Sequence, residues 1–187
     1  VYHNAGASTV QELGYGMAAL IELLDGLTSH GADVVSIFKD LFIKTAVGSN
    51  YFMEIAKLKT FRVAMHQLAE LYHVNLPPSN VYLFTISSQW SQSGMGTGSY
   101  NNLLRNTTEA MSAIIGGCNT LFISPHNSYS QNPDAFSKRM ARNISSILRK
   151  ESFFDKVIDP AAGSYYVENL MVSIHEYAIQ LLKKAED

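Results

Sequence analysis

The glycine-rich residues 94–99, Gly-Met-Gly-Thr-Gly-Ser, are the part of the chain whose composition could bind phosphate. Backbone N–H groups of such loops bind anions when the loop precedes a helix. However, the glycines lack the G-x-G-x-x-G spacing, and neither a Gly-Lys-Ser/Thr sequence nor an acidic residue placed for a ribose accompanies them. An α/β nucleotide-binding module therefore stays an alternative function, and an ordinary loop is the expectation.

The histidines are the residues that could bind a metal ion or transfer a proton. His66 and His73 share one predicted helix, but they lie seven residues apart, whereas a paired helical metal site needs a spacing of four. No acidic pair accompanies them. We expect no metal site, and we expect a structural role for all six histidines, which are His3, His30, His66, His73, His126 and His175.

Composition excludes several classes of protein. A net charge of −2 and a pI near 6.3 give no basic patch for nucleic acid. No apolar run approaches the roughly 18 residues of a membrane span, and no signal peptide is visible. The single Cys118 excludes an internal disulfide and fits a reducing compartment. We expect a cytoplasmic protein with neither a nucleic-acid nor a membrane partner.

Short β-rich runs alternate with long helical patterns at intervals of about 40 residues. Ser8 and Gln11 have the spacing of a capping box, Asp33 is a further helix cap, and Pro133 after Asn132 predicts another helix start. The predicted strands are residues 41–47, 81–86, 121–123 and 157–158. This rhythm predicts βαβ units and a parallel sheet, either doubly wound or closed as a barrel.

Residues 155–168 carry the most specific motif of the chain, Asp-Lys-Val-Ile-Asp-Pro-Ala-Ala-Gly-Ser-Tyr-Tyr-Val-Glu. This motif resembles one in the methylmalonyl-CoA mutases, which are cobalamin-dependent enzymes with a (β/α)₈ substrate domain. Further segments of that family occur upstream and in the family's order, so the resemblance covers nearly the whole chain. They are residues 4–7 with 11–13, residues 48–58, and residues 100–105 with 109–110 and 116–117.

The resemblance implies that residues 1–187 are the C-terminal half of a TIM barrel, about strands four to eight, with parallel strands and alternating helices. Val1, Tyr2 and His3 then fall at the end of the fourth strand. The cobalt-ligating Asp-x-His-x-x-Gly motif does not occur, so the cobalamin-binding domain is expected to be absent. Because the chain begins with Val1 inside a motif, we expect it to be a piece of a longer protein.

Barrel active sites lie at the carboxyl ends of the strands. Aligned without a gap, Val1 lies opposite the family's active-site His, His3 opposite its Gln and Asn4 opposite its Glu; a two-residue gap would instead place His3 opposite that His. The resemblance implies no catalytic residue in this chain. It implies substrate-binding candidates His3, Gln89 and Asn119, and cofactor-binding candidates Asn4, Glu109 and Ala110.

Two departures from the family pattern bear on activity. The sixth-strand motif Arg-x-His-x-Gln-Thr-Ser-Gly-Trp has Phe84 and Ile86 in place of its Arg and His, and the seventh-strand motif Thr-Gln-Ser-Leu-His-Thr-Asn has Phe122 in place of its His. Apolar side chains cannot donate hydrogen bonds to an acyl carbonyl. The departures indicate the non-catalytic small subunit of a heterodimeric mutase, a chain that would be inactive alone.

That interpretation implies adenosylcobalamin in the intact complex and none in this chain, a catalytic large subunit as partner, and self-association of the chain through unpaired strand edges. The complex would interconvert succinyl-CoA and methylmalonyl-CoA. The alternative within the same family is part of a catalytic acyl-CoA mutase subunit with His3 in the active site.

Overall fold

The structure is a computed structural model that describes residues 1–90, 100–128 and 132–186. Within them lie six α-helices, three β-strands and two 3₁₀ turns. The helices are α1 Thr9–Ser29, α2 Val34–Asp40, α3 Tyr51–Leu71, α4 Asn101–Ile115, α5 Ala135–Lys150 and α6 Tyr165–Glu186. The strands are β1 Phe42–Val47, β2 Tyr82–Ser87 and β3 Thr120–Phe122, and the 3₁₀ turns are His3–Ala5 and Pro78–Asn80.

The three strands form one parallel sheet in the order β1-β2-β3. The register aligns Ala46 with Ile86 and Ile86 with Phe122. All three carboxyl ends therefore meet at one edge, which we call the carboxyl edge; the opposite side is the amino edge. The predicted α/β class with parallel strands is confirmed, and three of the predicted strands are present to within one residue at each end.

The two faces of the sheet differ in how well they are covered. Side chains alternate between the faces of a strand, and in β2 the side chains of Leu83, Thr85 and Ser87 are buried. The other face is partly open, since Phe42 is 60%, Tyr82 45% and Phe122 54% exposed. This second set of apolar side chains is uncovered by the described part of the chain.

The main core lies between the sheet and α1, α3 and α6. Gly14 of α1 faces α6, where a Cβ atom would lie 3.1 Å from Leu181 Cδ2, so the glycine permits close packing of the two helices. Leu13, Ile55 and Ile174 are fully buried in this core. A smaller cluster joins α4 and α5, and it contains Ala110, Ile123, Ala141, Ile144 and Leu148.

Two of the three predicted helix starts are confirmed and one is wrong. Ser8 and Gln11 form the reciprocal capping box of α1, and the Asp33 carboxylate accepts a hydrogen bond from Ser36 N at 2.9 Å. Helix α5 begins at Ala135 rather than at Pro133. Asp134 is its cap, because its carboxylate accepts a 2.7 Å bond from Ser137 N and thereby satisfies a free N–H of the first turn.

The strand predicted at residues 157–158 is wrong. Val157 is 60% exposed, Ile158 is entirely exposed, and the segment between α5 and α6 consists of turns and bends. A two-residue apolar run forms a strand only beside a neighbour that accepts its backbone bonds, and none lies beside it in the described residues. The turn is held instead by Asp159, which accepts from Ala161 N at 3.1 Å and pairs with Lys59.

Residues 94–99 lie outside the described ranges, so the nucleotide-binding alternative stays a prediction. None of the helices in the described residues combines the length and the apolar character that crossing a membrane requires.

Candidate functional site

The carboxyl edge gathers the turn His3–Ala5 and the ends of β1 and β2. Ser88 N donates to Val47 O at 2.9 Å, which continues the β1–β2 pairing beyond the strands. Asn4 Oδ1 accepts from Gln89 N at 3.1 Å, and the Trp90 ring lies against Gly6, where a Cβ atom would be 3.4 Å from the ring. Gly6 has φ +92°, a backbone conformation that glycine adopts readily.

His3 packs directly on the backbone of Gly48, at the end of β1. A Cβ atom at position 48 would lie 2.7 Å from His3 Nε2, so only glycine leaves room for the imidazole. His3 Nδ1 is buried and has no hydrogen-bond partner. Burial lowers the pKa of His3, and the positive charge of Lys57 lowers it further, so His3 is neutral at pH 7.

A fully buried ion cluster lies beneath this turn. Lys57 of α3 is 0% exposed, and its Nζ lies 2.7 Å from Glu12 Oε2, 2.5 Å from Glu54 Oε2 and 2.6 Å from Ala46 O. The contact with Glu54 is an ion pair without hydrogen-bond alignment, since Glu54 Oε2 has no hydrogen-bond partner. Glu12 and Glu54 are 3% and 1% exposed. Two buried carboxyl groups therefore share one ammonium in the interior.

Lys57 and Glu12 keep their charges because they face each other. Burial alone would lower the pKa of Lys57, but Glu54 and Glu12 outweigh it and raise that pKa. Burial would likewise raise the pKa of Glu12, but Lys57 outweighs it and holds the pKa of Glu12 below its ordinary value. A charged buried group without such partners would be neutralised instead.

The end of β2 is closed by polar side chains from α4. Glu109 is fully buried and its Oε2 accepts from Ser88 N at 3.2 Å. Asn106 Nδ2 donates to Ser124 O at 2.8 Å, and Ser124 N donates to Ser87 Oγ at 2.8 Å. Helix α4 thus connects the ends of β2 and β3 through side-chain bonds to the backbone.

At the end of β3, some buried polar atoms lack hydrogen-bond partners. The His126 ring stacks on the Tyr100 ring and lies edge-on to the Phe136 ring, with distances between ring centroids of 5.3 Å and 6.2 Å respectively. His126 O accepts from Asn102 Nδ2 at 3.0 Å. His126 Nδ1 and Asn127 Oδ1 are nonetheless buried without partners. Unpaired buried polar atoms of this kind cost free energy.

The structure brings some of the predicted site residues together and separates others. His3, Asn4 and Gln89 lie in one group, with Glu109 beneath Ser88. Ala110 is 1% exposed and packs in the α4–α5 cluster. Asn119 lies at the amino edge, where its Oδ1 accepts from Leu83 N and from Arg62, both at 2.9 Å. Their assignment to substrate or cofactor stays a prediction.

Sequence reasoning missed the ion cluster, although a signal was present. Glu54 and Lys57 stand three residues apart among Ile55, Ala56 and Leu58, so any helix that buries this segment must bury both charges. Glu12 could not be added in this way, because it lies 45 residues from Lys57 in the sequence. The described residues contain no cluster of histidine, cysteine and acidic groups that could hold a metal ion.

The sequence model of one family, methylmalonyl-CoA mutase, matches residues 1–187. The chain belongs to the methylmalonyl-CoA mutase family. The mutase signature of residues 155–168 and the upstream segments are thereby confirmed as a family resemblance.

Relatives within the mutase family carry two kinds of name. The methylmalonyl-CoA mutase small subunit of Porphyromonas gingivalis is 40% identical over 98% of this chain and 30% of its own length. The methylmalonyl-CoA mutase of Cereibacter sphaeroides is 36% identical over 99% of this chain and 26% of its own length. The mitochondrial methylmalonyl-CoA mutase of Bos taurus is 32% identical over the whole chain and 25% of its own length. The chain therefore spans less than a third of these relatives.

Proposed function

We propose that this chain is part of the non-catalytic small subunit of an adenosylcobalamin-dependent methylmalonyl-CoA mutase. The proposal rests mainly on one observation: the polar groups at the carboxyl edge already have partners within the protein. Asn4 accepts from Gln89 N, Glu109 accepts from Ser88 N, and Lys57 is enclosed by Glu12 and Glu54. These groups are engaged with one another rather than presented to a thioester carbonyl. The small-subunit name of the 40% identical relative supports the same proposal.

Apolar side chains at the strand ends support it further. Phe84 and Ile86 stand on the open face of β2, and Phe122 beside them in β3 is 54% exposed. Stabilising a developing negative charge on a carbonyl oxygen needs donors about 3 Å from it, and these side chains have none.

The cofactor-binding candidates Asn4, Glu109 and Ala110 have little free surface in this chain. Glu109 is 0% and Ala110 1% exposed, and Asn4 Oδ1 already accepts from Gln89 N. Adenosylcobalamin, which would supply the radical chemistry, is therefore proposed to be held by other parts of the complex. This chain would contribute structure.

The proposed partner is the catalytic large subunit, and the proposed architecture is the C-terminal half of a (β/α)₈ barrel. The open sheet face with Phe42, Tyr82 and Phe122 supports both, because a three-stranded sheet with one uncovered apolar face is incomplete by itself. Isolated, the chain is expected to self-associate. Light scattering at micromolar concentration tests this expectation, and a monomer that binds no hydrophobic dye would contradict it.

Reconstitution tests the functional proposal. The chain alone, supplied with adenosylcobalamin and methylmalonyl-CoA, should show no turnover above a boiled control. The full-length subunit that contains it should co-purify with a large subunit, and the pair should be active. Turnover by the separate small subunit, or failure to pair, would contradict the proposal.

A second function within the family rests on His3, which adjoins Gly48 and carries an unpartnered Nδ1. In a catalytic subunit, His3→Gln would lower kcat of the active protein. In a small subunit, the same substitution would leave kcat of the reconstituted pair unchanged. Measuring kcat for the parent and the variant separates the two functions.

A further inference from the structure

Three features could carry an inference beyond the proposed function: the unpaired polar atoms near His126, the apolar grooves between α1, α3 and α6, and the ion cluster around Lys57. His126 Nδ1 and Asn127 Oδ1 are shielded from solvent, so a ligand has no access to them in this structure. The groove lined by Leu68, Leu71 and Ile179 has nothing that identifies its occupant. The ion cluster, in contrast, connects to the carboxyl edge by a continuous series of contacts.

We propose that Lys57 is a positioning residue for the carboxyl edge: it touches no solvent, yet it sets, through Glu12, the place of the turn His3–Ala5. Lys57 Nζ binds Glu12 Oε2 at 2.7 Å and Ala46 O at 2.6 Å. The other oxygen, Glu12 Oε1, lies 3.4 Å from both His3 N and Ala46 N. The carboxylate of Glu12 therefore joins the backbone of the turn to the backbone of β1.

The turn passes this placement on to the end of β2. Asn4, the central residue of the turn, holds Gln89 N at 3.1 Å. Gly6 follows the turn and lies under the Trp90 ring. A displacement of the turn therefore moves the first residues after β2.

Charge, rather than volume, gives Lys57 this role. A buried ion pair adds little stability over apolar side chains of the same size, because each ion loses its hydration. The Lys57–Glu12 pair instead fixes the geometry, because the two charges can meet in only one arrangement of α1 against α3. The 3.4 Å bonds to Glu12 Oε1 are long, and the negative charge of the acceptor strengthens them.

The experiment compares two backbone amides that each donate to an asparagine side chain. Gln89 N–H donates to Asn4 Oδ1 at the carboxyl edge, and Leu83 N–H donates to Asn119 Oδ1 at 2.9 Å at the amino edge. Hydrogen exchange of both amides is measured by NMR in the full 187-residue chain and in Lys57→Met. We expect Gln89 to lose more protection than Leu83 in the variant, because Leu83 reports only the general loss of stability whereas Gln89 also loses its placement.

General loosening of the fold would accelerate both amides alike, and an absence of positioning would leave both unchanged. Either result overturns the proposal. The matched control is Lys59→Met, because Lys59 lies two residues after Lys57 in α3 and pairs with Asp159 instead. Gln89 should stay protected in this control variant. If Lys57→Met does not fold, Glu12→Gln replaces it, because it keeps the side-chain volume and removes the charge; the same loss at Gln89 is expected.

The inference rests on the proposed function only in treating the carboxyl edge as the face of the site. Exchange at Gln89 and Leu83 is measured without substrate, cofactor or partner. A failure of the mutase proposal would therefore leave this result intact, and a failure of positioning would leave the reconstitution experiment intact.

Discussion

The carboxyl ends of β1 and β3 differ in how their buried polar groups are stabilised. At the end of β1, Lys57, Glu12 and Glu54 are buried together, and their charges face each other within 2.7 Å. At the end of β3, His126 is buried between Tyr100 and Phe136 with Nδ1 unpaired. At the first end the charged groups partner each other, whereas at the second the imidazole ring of His126 is held by packing against two aromatic rings.

This difference teaches where the chain tolerates change. Polar groups that partner each other specify one geometry and lose much when one member is removed. A polar atom without a partner specifies nothing, and its removal costs little. The charged residues of the β1 end are therefore expected to be sensitive to substitution, and His126 at the β3 end is expected to be sensitive to loss of its ring rather than of Nδ1.

The largest expected effect is at Lys57. Lys57→Met should reduce the free energy of unfolding by about 3–5 kcal/mol, because the buried carboxyl groups of Glu12 and Glu54 would lose the ammonium that compensates their burial. Urea unfolding followed by circular dichroism measures the loss. Lys59→Met is the control with a smaller loss, since Asp159 in that pair is 39% exposed and water screens it. Equal losses of unfolding free energy in the two variants would show that the buried ion cluster at the β1 end contributes no more than a partly exposed ion pair.

A second prediction compares the carboxyl edge with the amino edge. Asn119→Ala should cost about 1–2 kcal/mol of stability, because Leu83 N and the Arg62 guanidinium lose their shared acceptor. Asn119→Asp keeps an oxygen in place and should retain most of that stability. Substrate affinity of a reconstituted complex should be the same for both variants; a change in affinity without a change in stability would make Asn119 a ligand residue.

A third prediction tests the unpaired atom at the β3 end. His126→Phe keeps an aromatic ring against Tyr100 and removes Nδ1, so stability should stay within about 1 kcal/mol of the parent or rise. His126→Ala removes the ring as well and should be clearly less stable than His126→Phe. A large loss in His126→Phe would reveal that Nδ1 has a partner in solution.

The smallest expected effect is on pH dependence. Burial, followed by Lys57, lowers the pKa of His3 from 6.5, so the unfolded chain binds a proton at a higher pH than the folded chain does. The contribution of neutral His3 is therefore fully present above pH 6.5 and declines as the pH falls through the folded pKa. The lowered pKa of Glu12 adds a second decline below pH 4.5.

Melting temperatures between pH 8 and pH 4 check this order of events. His3→Gln should lose the first decline and keep the second. The exposed His30→Gln is the control and should follow the parent chain. An unchanged profile in His3→Gln would mean that the imidazole is not held in the buried position next to Gly48.

Much of the fold followed from local patterns, and the two exceptions have different causes. The capping box at Ser8 and the parallel runs of β1 and β2 depend on neighbours in the sequence, and they were predicted correctly. The predicted strand at residues 157–158 failed because a strand exists only with a partner beside it. Helix α5 starts two residues after Pro133, with Asp134 as its cap, because the Asp134 carboxylate accepts from Ser137 N in the first turn.

The sequence by itself determined the family and the α/β class with parallel strands. The tertiary structure alone decided that Glu12 meets Lys57 across 45 residues, and that Asn119 faces the amino edge. Periodicity and motif spacing encode which face of a helix is apolar, but not which charges meet when two helices pack. That pairing depends on distances of a few ångström between elements far apart in the chain, and only the folded arrangement sets them.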